Sequence, residues 1–216
     1  MMGVSSGKIV RIEMKDEVTI RLFVEEGPKI TDELTDLANS MAESNDKIKV
    51  DIEYVDRGRN ELLKQYHIEH WPCIVLEKDG VSRIRYYGVP SGYELVAMKD
   101  AIHELSTSSP RLSHMSLESL SKIRRKANVK VFVLTTCPFC PSVVRHAYRA
   151  AIVSEKVTTE IIDFSMFQDL ALRHSVMGVP KMILNNNTDV TGVVDEVDFF
   201  KRLRDADMSL LGGMYQ

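Results

Sequence analysis

The strongest constraint on the fold is internal repetition: one order of elements, β-α-β-α-β-β-α, is written twice in 216 residues. In the first copy Thr19-Ile20-Arg21-Leu22-Phe23-Val24 carries a strand pattern. After the Gly27-Pro28 break, Leu34, Leu37, Ala38 and Met41 recur at helical spacing. Val50 to Asp56 reads as a second strand, Leu62, Leu63 and Tyr66 as a short helix, and Trp71-Pro72-Cys73-Ile74-Val75-Leu76 as a third strand. Asp79-Gly80 is a hairpin signal, because both residues tolerate the positive φ of a tight turn, and Arg83 to Tyr87 returns as the fourth strand. Gly88 ends that strand, and Ser91 to Leu105 supplies an amphipathic helix.

The second copy follows the same order. Val129 to Leu134 is a strand, Pro138 to about Ile152 a helix, Thr159 to Phe164 a strand and Met166 to Ser175 a helix. Pro180 to Leu184 and Val190 to Val194 form a strand pair across the Asn185-Asn186-Asn187 turn, and Val197 to Leu203 begins the last helix. Landmarks align between the copies: Phe23-Val24 with Phe132-Val133, Asp56 with Asp163, Pro72 with Pro180, Gly88 with Gly192. Between them Ser106 to Pro110 breaks structure, and Ser116 is the expected cap of a short helix through Leu117, Leu120 and Ile123. The boundary falls near residues 107–115. The fold class expected is α/β, with two tandem units, each a central mixed β-sheet flanked by helices.

Composition narrows the function. With 28 Lys+Arg against 31 Asp+Glu, a formal net charge of −3 offers no broad positive field, so nucleic acid and anionic membrane surfaces are not expected partners. No apolar run reaches the ~18–20 residues of a membrane span, and the N-terminal MMGVSSGKIV does not read as a secretory signal. A cytoplasmic protein is expected. Its three cysteines, Cys73, Cys137 and Cys140, are too few for a disulfide scaffold, but two of them form a C-x-x-C.

That motif is the segment with chemistry. Val131-Phe132-Val133-Leu134 is a buried-looking strand that runs into Cys137-Pro138-Phe139-Cys140 at the start of a helix. Unpaired N–H groups and the macrodipole at a helix N-terminus stabilise a thiolate, which makes Cys137 the expected nucleophile. Pro138 suits a first helical turn, where its missing N–H is no loss. Cys140, one turn on, is expected to sit deeper and to attack a mixed disulfide on Cys137.

Cys-Pro-Phe-Cys in this setting resembles the active site of the thioredoxin/glutaredoxin superfamily, closest to the Cys-Pro-aromatic-Cys of glutaredoxins. The doubling resembles the two-unit, glutaredoxin-like protein disulfide oxidoreductases, and the likeness covers roughly residues 17–205. It implies a thioredoxin-like unit over 1–110 without the C-x-x-C and an active unit over 111–216. It also implies that Pro180 is the cis proline facing the redox pair, that the Val179 backbone docks substrate, and that Pro138 and Phe139 complete the substrate contact. Two positions depart from the pattern. Val131 stands where thioredoxins bury an aspartate, so another group or water must take the proton of the resolving thiol. Gly178 precedes Val179-Pro180 where glutathione-binding glutaredoxins have threonine.

The resemblance implies exchange of disulfides with protein substrates, no bound cofactor or metal, and a separate NADPH-dependent disulfide reductase as partner. A related reading is an electron carrier between a flavoprotein reductase and a peroxiredoxin. A reading of another class is a non-catalytic binding or chaperone module. Zinc would require two further ligands that the chain does not supply as a second C-x-x-C. Cys73 is expected to pack as a small hydrophobe, His67 and His70 to be ordinary surface or packed histidines, and Lys181 to be exposed. Arg145 and His146 are expected on a solvated helix face, and Glu25-Glu26 in a solvated turn.

Overall fold

The computed structural model describes residues 12–55 and 60–212. The first copy forms β1 (Val18–Val24), α1 (Lys29–Ser44), β2 (Ile48–Tyr54), α2 (Asn60–Gln65), β3 (Cys73–Lys78), β4 (Val81–Tyr87) and α3 (Gly92–Thr107). A linking helix, α4 (His114–Ser121), leads to the second copy. This comprises β5 (Ala127–Val133), α5 (Cys140–Val153), β6 (Val157–Asp163), α6 (Gln168–Arg173), β7 (Lys181–Leu184), β8 (Thr188–Thr191) and α7 (Glu196–Gly212). Asp56, paired with Asp163 in the repeat, lies outside the described residues.

Both copies use the same strand order, and together they make one mixed eight-stranded sheet, β2-β1-β3-β4-β6-β5-β7-β8. The join is a parallel pairing of β4 with β6, running from Ile84↔Thr159 to Tyr87↔Ile162. Each of those strands would otherwise be an edge with unpaired backbone donors and acceptors, so the pairing satisfies two edges at once. The repeat is visible in detail. β1 and β5 share one burial pattern. Arg21 pairs with Asp51 at 2.9 Å across β1 and β2, and Lys130 with Glu160 at 3.3 Å across β5 and β6, each at matching register. The Gly88 N–H donates to the Pro72 carbonyl at 3.0 Å, as the Gly192 N–H does to that of Pro180 at 2.8 Å. Both hairpin turns hold positive φ, at Asp79-Gly80 and Asn185-Asn186.

Two apolar layers flank the sheet. One joins strand residues such as Leu22, Tyr86 and Val131 to Leu34 of α1, Met98 of α3, Tyr148 of α5 and Phe199 and Phe200 of α7. The other packs Phe23, Tyr87, Phe132 and Ile162 beneath Tyr66 and Val176, which follow α2 and α6. Burying each aromatic of this kind stabilises the fold by roughly 1.5–3 kcal/mol. Across the join α3 packs on α5, held by a two-pronged Arg149–Glu104 pair at 2.7–3.0 Å and by Arg145–Asp100 at 2.7 Å.

Two local expectations are corrected. Ser113, not Ser116, caps α4: its Oγ accepts from the Ser116 N–H at 3.2 Å. Ser116 instead turns its own hydroxyl to Glu196 at 2.7 Å, tying α4 to α7. Lys181 is buried rather than exposed, because its ammonium is satisfied by the carbonyls of His174 and Ser175 and the carboxylate of Asp189. Among the described residues no helix is long and apolar enough to cross a membrane.

Gly88 sits at φ +120° against β6, and a Cβ there would lie 2.9 Å from the Asp163 Cβ. Gly88→Ala is expected to destabilise the chain by about 1–3 kcal/mol, read as a lower urea midpoint.

Candidate active site

β5 ends at Val133, and the turn that follows carries Cys137 before α5 begins at Cys140. Pro138 therefore stands in the turn, and Pro141 takes the place in the first helical turn expected for Pro138. Three residues of loop put the Cys137 sulfur over the helix N-terminus, where it accepts the Cys140 N–H at 3.3 Å. A thiolate there gains one of the N–H groups that the helix leaves unpaired. Cys137 is half-buried, Cys140 fully buried. Burial pushes the Cys140 thiol up, and its hydrogen bond to Cys137 acts in the same direction, so Cys140 holds its proton beside a reachable partner sulfur.

The other expected site residues converge from the neighbouring strand. Phe132 pairs with Lys181, which brings Val179-Pro180 alongside the end of β5 that leads to Cys137. The Val179–Pro180 bond is cis. Pro180 is buried, while Phe139 is 65% exposed and Met177 94% exposed on the rim.

The first copy also builds this site, with a residue that motif reading alone does not single out. Its β4–α3 loop lies so close that a Cβ on Gly92 would be 2.8 Å from the Thr135 carbonyl oxygen. The loop delivers Glu94 in the first turn of α3, with 0% of its surface exposed. Neither carboxylate oxygen has a hydrogen-bond partner in the protein. Burial pushes the Glu94 carboxyl up to about 8; the Arg145 guanidinium opposes this and the Asp163 charge adds to it. The Glu94 charge in turn acts on the Cys140 thiol. Val131, at the position where thioredoxins bury an aspartate, is buried and apolar. The sequence does carry a signal: Glu94 stands three and four residues before Ala97 and Met98, on the buried stripe of α3 continued by Ala101 and Ile102.

The remaining candidates stand apart. Cys73 is buried in the second apolar layer, and burial pushes its thiol up. His146 packs on Phe199 and Phe200, and burial lowers its pKa. Arg145 keeps 28% of its side chain exposed while pairing with Asp100. His70 stacks on Tyr87 and Phe167, and no group of three or more metal-ligating side chains occurs among the described residues. In the first copy Pro28 and Thr31 occupy the places of Cys137 and Cys140. The Thr31 hydroxyl donates to the Glu25 carbonyl at 2.7 Å, and the Trp71 indole N–H to the Glu25 carboxylate at 2.7 Å. Glu25 itself stays exposed in the turn expected for it, and the Trp71–Pro72 bond beside it is also cis.

Residues 127–204 match a family model described as thioredoxin domain. A curated relative from Ferdinandcohnia aciditolerans, described as NADH dehydrogenase, is 21% identical over 170 residues. These cover 75% of this chain, which spans only 33% of that protein's length. Among solved structures, the alkylhydroperoxide reductase AhpF of Enterococcus faecalis is 26% identical with a TM-score of 0.81, covering 88% of this chain and 91% of that one. A protein disulfide oxidoreductase from Aeropyrum pernix is 21% identical with a TM-score of 0.82, over 91% of this chain and 88% of the other.

Folded, the chain keeps a proton on Glu94 up to about pH 8, whereas an unfolded carboxyl loses it near 4.5. Between those values the folded state binds the extra proton, so stability falls as pH rises. Glu94→Gln is expected to flatten that fall, as measured by urea unfolding at steps across the window.

Proposed function

From a chain that is a two-unit thioredoxin-like protein, we propose a thiol–disulfide oxidoreductase that exchanges disulfides with protein substrates through Cys137 and Cys140. The observation that carries this reading is the stacking of three groups. A half-buried sulfur sits on a helix N-terminus, a buried protonated thiol lies within its reach, and a buried carboxylate whose charge is felt by that thiol completes the set.

The chemistry follows from their order. Cys137 thiolate attacks one sulfur of a substrate disulfide; a mixed disulfide forms, and the other substrate sulfur leaves as thiolate and is protonated by solvent. Cys140 then passes its proton to the ionised fraction of Glu94, which grows as the pH approaches about 8, and attacks the Cys137 sulfur. The Cys137–substrate bond breaks, the second substrate thiolate leaves, and an intramolecular Cys137–Cys140 disulfide remains. The substrate has gained two electrons and the protein has lost two. Val179 and Pro180, with Pro138, Phe139 and the exposed Met177, flank the attacking sulfur as the docking surface. Residues 1–110 act as a degenerate unit that completes the site, and 111–216 as the catalytic one.

A separate NADPH-dependent disulfide reductase would return the pair to the dithiol state in the cytoplasm. The likeness to an alkylhydroperoxide reductase over most of this chain favours one specific variant. In it the protein carries electrons between a flavoprotein reductase and a peroxiredoxin.

Cys137→Ser is expected to reduce dithiothreitol-driven insulin reduction to background. Cys140→Ser should retain the first step and accumulate a covalent substrate adduct, seen as a mass gain that dithiothreitol reverses. A Cys137→Ser protein that still suppresses aggregation, beside a wild type with no exchange activity, would establish the chaperone reading instead.

A further inference from the structure

The segment that carries the docking residues is held only at its ends. Between Val176, buried in the second apolar layer, and Pro180, at the head of β7, Met177 and Gly178 are exposed and Val179 is half-buried. Among the described residues no hydrogen bond of the protein engages the backbone of Met177, Gly178 or Val179. Upstream, α6 closes on a left-handed residue. Ser175, at φ +51°, donates its N–H to the Leu172 carbonyl at 2.9 Å, and the Val176 N–H reaches that of Ala171 at 2.9 Å. The carbonyls of His174 and Ser175 are left without a backbone donor. Lys181 supplies one from seven residues on: its buried ammonium donates to both, at 2.7 and 3.2 Å, and pairs with the Asp189 carboxylate at 2.7 Å. The two ends of the docking segment are thereby joined to each other.

The first copy meets the same need from the other strand of its hairpin. α2 ends on His67 at φ +53°, with the His67 N–H on the Lys64 carbonyl at 3.2 Å and the Ile68 N–H on that of Leu63 at 2.8 Å. Pro72 is followed by Cys73, and the Tyr66 carbonyl, counterpart of that of His174, accepts instead from Arg85 Nε at 2.7 Å. Arg85 is buried, and it stands three residues before Gly88 as Asp189 stands three before Gly192. Each copy thus sets a buried cation on the carbonyl that ends its short helix, although a different strand provides it. Two unlike residues making one contact mark the contact itself as the requirement. Only in the second copy does the cation belong to the residue next to the docking proline, so that it closes around the segment.

We propose that Lys181 is a positioning residue for protein substrates, its ammonium clasping residues 176–180 in the one shape with which an incoming disulfide-bearing chain pairs. The inference rests on the exchange activity proposed above. A segment left loose would have to be ordered by the substrate, at the expense of affinity. Lys181 makes no hydrogen bond to either sulfur, so the clasp bears on docking of a polypeptide and not on attack by Cys137.

The test compares two disulfides on the full reduced chain: insulin, whose disulfides lie within a polypeptide, and 5,5′-dithiobis(2-nitrobenzoate), which has no chain to dock. With the small reagent the Cys137 thiolate bonds one sulfur and the other leaves as a coloured thiolate. Lys181→Met should raise KM for insulin about tenfold, leave kcat within about twofold, and leave the first coloured release within about twofold of wild type. Lys181→Met/Asp189→Arg rebuilds the arrangement of Arg85 in the second copy and should return KM to within about threefold of wild type, a rescue that a space-filling role would not give. A wild-type KM in Lys181→Met, or rates that fall equally for both disulfides, would overturn the proposal and leave the exchange reading standing. Should Lys181→Met not fold, Asp189→Asn decides, because that side chain is 58% exposed. Losing its carboxylate draws the ammonium off the carbonyls toward water, so KM for insulin should rise about threefold, and a wild-type value there overturns the clasp. A wild type that releases no thiolate from either disulfide sinks the exchange reading and this inference with it.

Discussion

Everything specific to this site depends on the pairing of β4 with β6. That backbone ladder puts the end of the first copy's last strand beside the end of a second-copy strand, Tyr87 against Ile162 and Gly88 against Asp163. The chain that leaves β4 has nowhere to go except across the turn preceding α5, and α3 is thereby laid on α5. A carboxyl in the first turn of α3 then comes within electrostatic reach of the resolving thiol. The ion pairs Arg145–Asp100 and Arg149–Glu104 fix the angle of that crossing, but the sheet creates it.

The repeat order, the hairpin turns and the redox pair are legible in sequence because each rests on local chemistry: apolar periodicity, residues that accept positive φ, and two cysteines at the start of a helix. What is not legible shares one cause. The continuity of the sheet, the burial of Lys181 and the role of Glu94 are all decided by contacts between distant segments. Lys181 looks like a strand-start lysine until the carbonyls after α6 and Asp189 of β8 are brought to it. Glu94 reads as one more acid in an amphipathic helix until its position on the stripe of Ala97, Met98, Ala101 and Ile102 is noticed. Ser113 and Ser116 offer the same side chain as a cap for α4, and the Ser116 N–H donated to the Ser113 hydroxyl tells them apart.

The first copy shows what such a site becomes without its sulfurs. Thr31 keeps the burial of the resolving position and directs its hydroxyl to the Glu25 carbonyl, while Trp71 stands beside the cis proline and bonds the Glu25 side chain. The backbone architecture around the cis proline is thus common to both copies, down to the glycine N–H that meets the cis-proline carbonyl, although no cysteine stands at the first copy's counterparts of Cys137 and Cys140. The two equivalent sheet ends lie on the same edge, four strand spacings or about 19 Å apart.

The placement of Glu94 bears on how such a duplicated chain can change over time. In a protein whose catalytic groups all reside in one half, the other half is free to drift or to be lost. Here the half without the C-x-x-C carries a buried acid, Glu94, and the glycine, Gly92, that lets its helix approach Thr135. A substitution at Glu94 or Gly92 in one half is therefore felt at Cys140 or Thr135 in the other.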